Sequence, residues 1–184
     1  ITPWHIREAA IESLEKGKTY YTSNAGMTEL RTEISKYVKR KFNLEYCPNG
    51  EIVVTVGGSE AIDIAMRTIL EPGDEVILPV PSFVCYEPIA KMIGAKVVHI
   101  DTKLENKFKV TPEEIKAALT PKTKMLILPF PNNPTGAILT RDELEAIAEV
   151  IKDTNIIVIS DEIYGELTYG GKRHVSMAEI PGMK

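Results

Sequence analysis

Five short β-branched, apolar runs, at 52–56, 76–78, 97–100, 125–128 and 156–159, alternate with four stretches of helical spacing. In the first such stretch, opened by Ser59, Ile62, Ala65, Met66 and Ile69 recur three and four residues apart, the spacing of one helix face. The second runs from about Val84 to Ile93. The third starts at Thr111-Pro112-Glu113-Glu114, with a cap, a proline at the first helical position and acids in the first turn. The fourth starts at Thr140-x-x-Glu143, a capping box, and reaches about Lys152. Strands that are apolar on both faces must be covered on both. The pattern therefore predicts an α/β chain in which a mostly parallel sheet lies between two helical layers, with right-handed crossovers.

Residues 1–45 break the alternation. Pro3–Lys16 and Thr28–Phe42 read as amphipathic helices, joined by a Gly17–Gly26 loop that carries Tyr20 and Tyr21. The expected division is thus an N-terminal helical segment, 1–45, and a sheet-bearing part, 46–184. With 184 residues there is room for about one α/β domain. The net charge of −4 gives no basic field for nucleic acid. No apolar run approaches the roughly 20 residues of a membrane span, and no signal peptide is visible, so a cytoplasmic protein is expected. Cys47 and Cys85 have neither staple nor metal spacing. The chain starts at Ile1 rather than Met, which suggests a piece of something longer.

Open parallel sheets bind ligands at the carboxyl ends of their strands. Four polar, turn-rich segments fall there: Gly57-Gly58-Ser59-Glu60, Pro81-Ser82-Phe83, Pro131-Asn132-Asn133-Pro134-Thr135-Gly136 and Asp161-Glu162-Ile163-Tyr164. Gly-Gly-Ser before a helix offers N–H groups and a helix dipole to an anion. A carboxylate directly after an apolar strand, as at Asp161, is costly without a cation. One helical turn on, Tyr164 shares its face. Each feature alone has an ordinary explanation: a turn, a helix cap, a packed aromatic. No dinucleotide or Walker-type glycine pattern sits between a strand and a helix.

Together these segments, with Tyr21-x-x-x-x-Gly26-x-x-x-Leu30-Arg31, resemble the class I/II aminotransferases, fold-type-I enzymes that use pyridoxal 5′-phosphate (PLP). The resemblance covers nearly the whole chain, and its most specific part is the pairing of Asn133-Pro134-Thr135-Gly136 with Asp161-x-x-Tyr164. It implies the large domain of that fold, truncated after the fifth strand. It also implies that Gly58, Ser59 and Glu60 hold the PLP phosphate, that Phe83 stacks on the ring, and that Asp161 pairs with the ring nitrogen. Asn133 and Tyr164 would hydrogen-bond the ring 3′-oxygen, and Asn133 would also touch the substrate carboxylate. Tyr21 would reach the phosphate of a neighbouring subunit, hence a homodimer. Pro81 and Pro134 match positions that are often cis in relatives.

The lysine that forms the Schiff base in this family lies beyond a Pro-Gly-Met element, and this chain stops at Pro181-Gly182-Met183-Lys184. Neither Lys172 nor Lys184 matches it. The resemblance therefore implies an enzyme moving amino groups between an amino acid and a 2-oxo acid, with these 184 residues inactive by themselves. A PLP-dependent C–S β-lyase on the same scaffold, or a non-catalytic binding domain, are the alternative readings. A structural expectation accompanies this one. The partners of strand 52–56 are contributed after the lysine segment in relatives, so within this chain that strand is left unpaired, displaced or covered by a second molecule, and the chain weakly stable.

Overall fold

A computed structural model describes all 184 residues. Four parallel strands form one sheet in the order β2-β1-β3-β4, with β1 at Glu75–Val80, β2 at Lys96–Asp101, β3 at Thr123–Leu128 and β4 at Ile157–Ser160. Alternate residues of the central strands enter two separate cores. Ile77, Leu126 and Leu128 pack with α5 (Pro112–Ala118) and α6 (Arg141–Ile151) on one face. Val76, Leu78, Met125 and Ile127 pack with α3 (Gly58–Ile69) and α4 (Tyr86–Ile93) on the other. This is the expected three-layer arrangement, and it follows from a period of two on apolar strands.

The predicted helix starts are met in detail. Thr111 and Thr140 each accept a hydrogen bond from the backbone N–H three residues on, while Glu114 and Glu143 bond back to the cap. Both expected prolines follow cis bonds, at Val80–Pro81 and Asn133–Pro134; Phe130–Pro131 is cis as well. The N-terminal helices α1 (Trp4–Glu15) and α2 (Thr28–Phe42) also form. No residue of α1 is buried. In α2 the buried Arg31 fastens the helix start, its guanidinium bonding the carbonyls of Gly26 and Pro48 and the hydroxyl of Thr28.

One expected strand is not formed. Residues 52–56 lie outside the sheet, with Val53 and Val56 exposed, and Val54 N–H donating to Ala25 O at 3.0 Å. The sheet thus has four strands rather than five. A strand exists only against a partner, and β-branched composition supplies none. The contact with Ala25 needs a glycine next to it. Gly26 has φ +95°, and a Cβ there would sit 2.6 Å from the Val54 Cβ.

At the opposite end of the sheet from the carboxyl ends of its strands, Glu75 is buried at the start of β1. It accepts from Thr120 Oγ1 at 2.6 Å and pairs with Lys96 Nζ at 2.9 Å. The Thr120 hydroxyl, then the Lys96 ammonium, hold its carboxyl below the usual range. A carboxylate whose folded value is depressed stabilises the fold above its unfolded pKa, and that stabilisation is lost as the pH falls through the folded value. The melting temperature is expected to drop between about pH 5 and pH 3, and Glu75→Gln to lessen that drop; calorimetry across this range checks it.

Candidate active site

The carboxyl ends of β1, β3 and β4 and the N-terminus of α3 enclose one cavity of about 180 Å³. Gly58, Ser59, Phe83, Asn133, Asp161 and Tyr164 all line it, together with Tyr86 and Ile62. Gly58, Ser59 and Ile62 stand on α3, Tyr86 on α4, and Asp161 and Tyr164 on the turn after β4. Gly57, at φ +81°, turns the chain into α3, so the unpaired N–H groups of the first helical turn face the cavity with the positive end of the dipole. The loop after β1 brings Phe83, and the loop after β3 brings Asn133.

Asp161 extends the sheet ladder by one residue, its N–H donating to Leu128 O at 3.1 Å. Its carboxylate is held from two sides. Oδ1 accepts from Ile163 N–H at 3.2 Å, and Oδ2 accepts from the Tyr86 hydroxyl at 2.7 Å. Tyr86 is almost wholly buried, and burial, reinforced by the Asp161 charge, pushes its hydroxyl far above the ordinary phenol range. It therefore remains a donor at any working pH. Its ring meets Phe83 edge-on, centroids 6.0 Å apart. Sequence reasoning missed Tyr86. The available signal was a phenol three residues after Phe83, at the start of a helix pointing towards the same edge.

Cys85, beside Ser59, has its thiol pushed up by burial, so it is a neutral neighbour. Glu60 does not line the cavity: its carboxylate folds back to accept from Val56 N–H ahead of α3. Tyr21 is fully exposed on the loop before α2 and does not line it either. No lysine is among the lining residues. An adjoining cleft shares Pro131, Asn133 and Tyr164 and runs out to Tyr169 and Lys172.

The chemistry of the donor set suits PLP. A helix N-terminus fits a phosphate, an aromatic ring fits a planar heterocycle, a carboxylate fits a protonated ring nitrogen, and an amide with a phenol fits a ring oxygen. One such set surrounds a single small cavity here.

The family model described as aminotransferase class I and II matches residues 2–183. The aspartate aminotransferase of Bacillus subtilis is 44% identical over 179 residues, which is 97% of this chain and 45% of that protein. The crystal structure of an aromatic aminotransferase from Pyrococcus horikoshii OT3 superposes with a TM-score of 0.96 at 41% identity, over 99% of this chain and 49% of the other. The N-succinyldiaminopimelate aminotransferase of Mycobacterium tuberculosis gives 0.94 at 37% identity, over 98% and 47%. The chain spans about half the length of the relatives it matches.

Proposed function

Since the chain belongs to the aminotransferase class I and II family, we propose that the whole protein transfers an amino group between an amino acid and a 2-oxo acid with PLP as cofactor. The observation that carries this reading is the convergence of Ser59, Phe83, Asn133, Asp161 and Tyr164 on one cavity. Residues 46–184 are then part of the cofactor-binding large domain, behind the helical segment 1–45.

In this reading the first-turn N–H groups of α3 at Gly58, Ser59 and Glu60, with the Ser59 hydroxyl, bind the phosphate. Phe83 packs on the ring. Asp161, kept aimed by Tyr86 and Ile163 N–H, holds a proton on the ring nitrogen. The Asn133 amide and the Tyr164 phenol donate to the ring oxygen. Bound PLP supplies an electron sink for the charge left when the substrate Cα loses its proton. The lining residues include no group suited to carry that proton to and fro as a lysine does, so the 184 residues alone are expected to transfer no amino group.

A homodimer accompanies this reading, with Tyr21 reaching the neighbour's phosphate. Support comes from the apolar groups left in water near that loop: Trp4, Ile11 and Leu14 on α1, Tyr20, Tyr21 and Val56, an exposed set that commonly marks an interface. No helix is long and apolar enough to cross a membrane, and a cytoplasmic setting is part of the proposal.

The test is a paired assay of full-length protein. Amino transfer that requires an added 2-oxo acid, with a visible band from bound PLP, supports the reading. Pyruvate release from a cysteine conjugate without an acceptor replaces it with the C–S lyase. A protein that binds no PLP is a non-catalytic domain.

A further inference from the structure

Asp161 and Glu162 are consecutive carboxylates that face opposite ways. Asp161 lines the cavity. Glu162 instead enters a half-buried cluster on the far side of the chain, where its side chain is 21% exposed and that of His174 is 8% exposed. Four donors converge on the Glu162 carboxylate: His174 Nε2 at 2.8 Å, Ser160 Oγ at 2.7 Å, Ser176 Oγ at 2.8 Å and Met177 N–H at 3.3 Å. Since an ionised carboxylate only accepts, the Nε2 proton lies on the histidine. Burial pushes Glu162 up, but the bonds from His174, Ser160 and Ser176 outweigh it and hold its carboxyl below the usual range.

The cluster joins an exposed stretch of chain to a buried one. Ile163, Glu166 and Leu167 are exposed, and the chain stays near the surface to Arg173. It returns at His174 and is then anchored by Met177 and Ile180, which are 3% exposed in the main core. Two contacts bind the 161–165 turn to this anchored segment. One is Glu162 through three of its four hydrogen bonds. The other is Gly165, which packs so closely that an added Cβ would lie 3.0 Å from the His174 ring, while its N–H closes the turn itself on Glu162 O at 2.8 Å. The ring is itself met edge-on by Phe42 of α2, centroids 6.1 Å apart.

We propose that the Glu162–His174 pair is a positioning device that fixes where Asp161 and Tyr164 stand, and so sets the cavity's affinity for PLP. The pair touches nothing in the cavity; it acts through the turn that both cavity residues share. A side chain that holds a ligand depends on the hydrogen bonds behind it. The effect on PLP rests on the cofactor reading above; the effect on the turn does not.

The experiment uses full-length protein in three forms: wild type, His174→Phe, which keeps a ring without the donor, and His174→Gln, which places an amide N–H near the Nε2 position. Hydrogen exchange of the 161–165 peptide is read without cofactor, and the PLP dissociation constant by fluorescence. His174→Phe is expected to speed exchange at 161–165 while β3 keeps its protection, and to weaken PLP by about 10–100-fold, the scale seen when a bond behind a ligand-holding group is lost. His174→Gln is expected to recover most of both. If His174→Phe does not fold, Glu162→Gln gives the same two readings. Wild-type exchange at 161–165 in the Phe variant, or faster exchange spread evenly over β3 and α6, overturns the proposal. A wild-type protein without PLP affinity overturns the cofactor reading instead, and the exchange data still decide this one.

Discussion

Asp161→Ala in the full-length protein is expected to weaken PLP binding by about 10–100-fold, as a hydrogen bond to a charged partner is worth about 1.5–3 kcal/mol. It has a second cost. The Tyr86 hydroxyl, 2% exposed as a residue and bonded to Asp161 Oδ2 at 2.7 Å, loses its acceptor, and an unsatisfied buried donor costs about 1–3 kcal/mol. Asp161→Asn separates the two effects, because its amide oxygen still accepts from Tyr86 while the negative charge is gone. The Ala variant should lose both affinity and melting temperature, the Asn variant mainly affinity. Fluorescence titration with PLP and thermal melts give the two quantities. Equal PLP affinity in all three proteins would remove Asp161 from the cofactor's grip.

Ile127→Ala is expected to cost the fold about 2–5 kcal/mol, the range for truncating a fully buried aliphatic side chain. Ile127 is 0% exposed near the carboxyl end of β3, packs in the core that contains Tyr86, Ile62 and Met66, and pairs across the ladder with Ile159 of β4. The floor of the cavity therefore rests on it. Leu104, 71% exposed in the connection after β2, is the matching control, and its truncation should stay within about 0.5 kcal/mol. Urea unfolding of the two variants checks the contrast.

What could be read without coordinates was whatever the chain states locally. Thr111-Pro112 and Thr140-x-x-Glu143 begin helices because their caps are complete within a few residues. Four of the five apolar runs found strand partners, and the loops after β1, β3 and β4 carry Phe83, Asn133, Asp161 and Tyr164 to one edge. What escaped was non-local. Residues 52–56 have strand composition, yet their backbone meets Ala25 rather than a strand, and no local pattern encodes a missing neighbour. The Tyr86–Asp161 bond spans 75 positions in sequence. Three of the four donors to the Glu162 carboxylate appear only when the segment after Arg173 folds back.

The back-to-back carboxylates also make β4 a vernier. Its pairing with β3, Met125 against Ile157 through Leu128 against Ser160, decides which acid meets the cavity, because sliding a strand by one position inverts every side chain. Slipped by a single notch, the chain would offer the cavity a glutamate one methylene too long and bury the aspartate where the histidine waits. On the proposed reading, fidelity of this alignment during folding is thus a condition for holding PLP, and errors in it would yield molecules that look folded yet are blind to it.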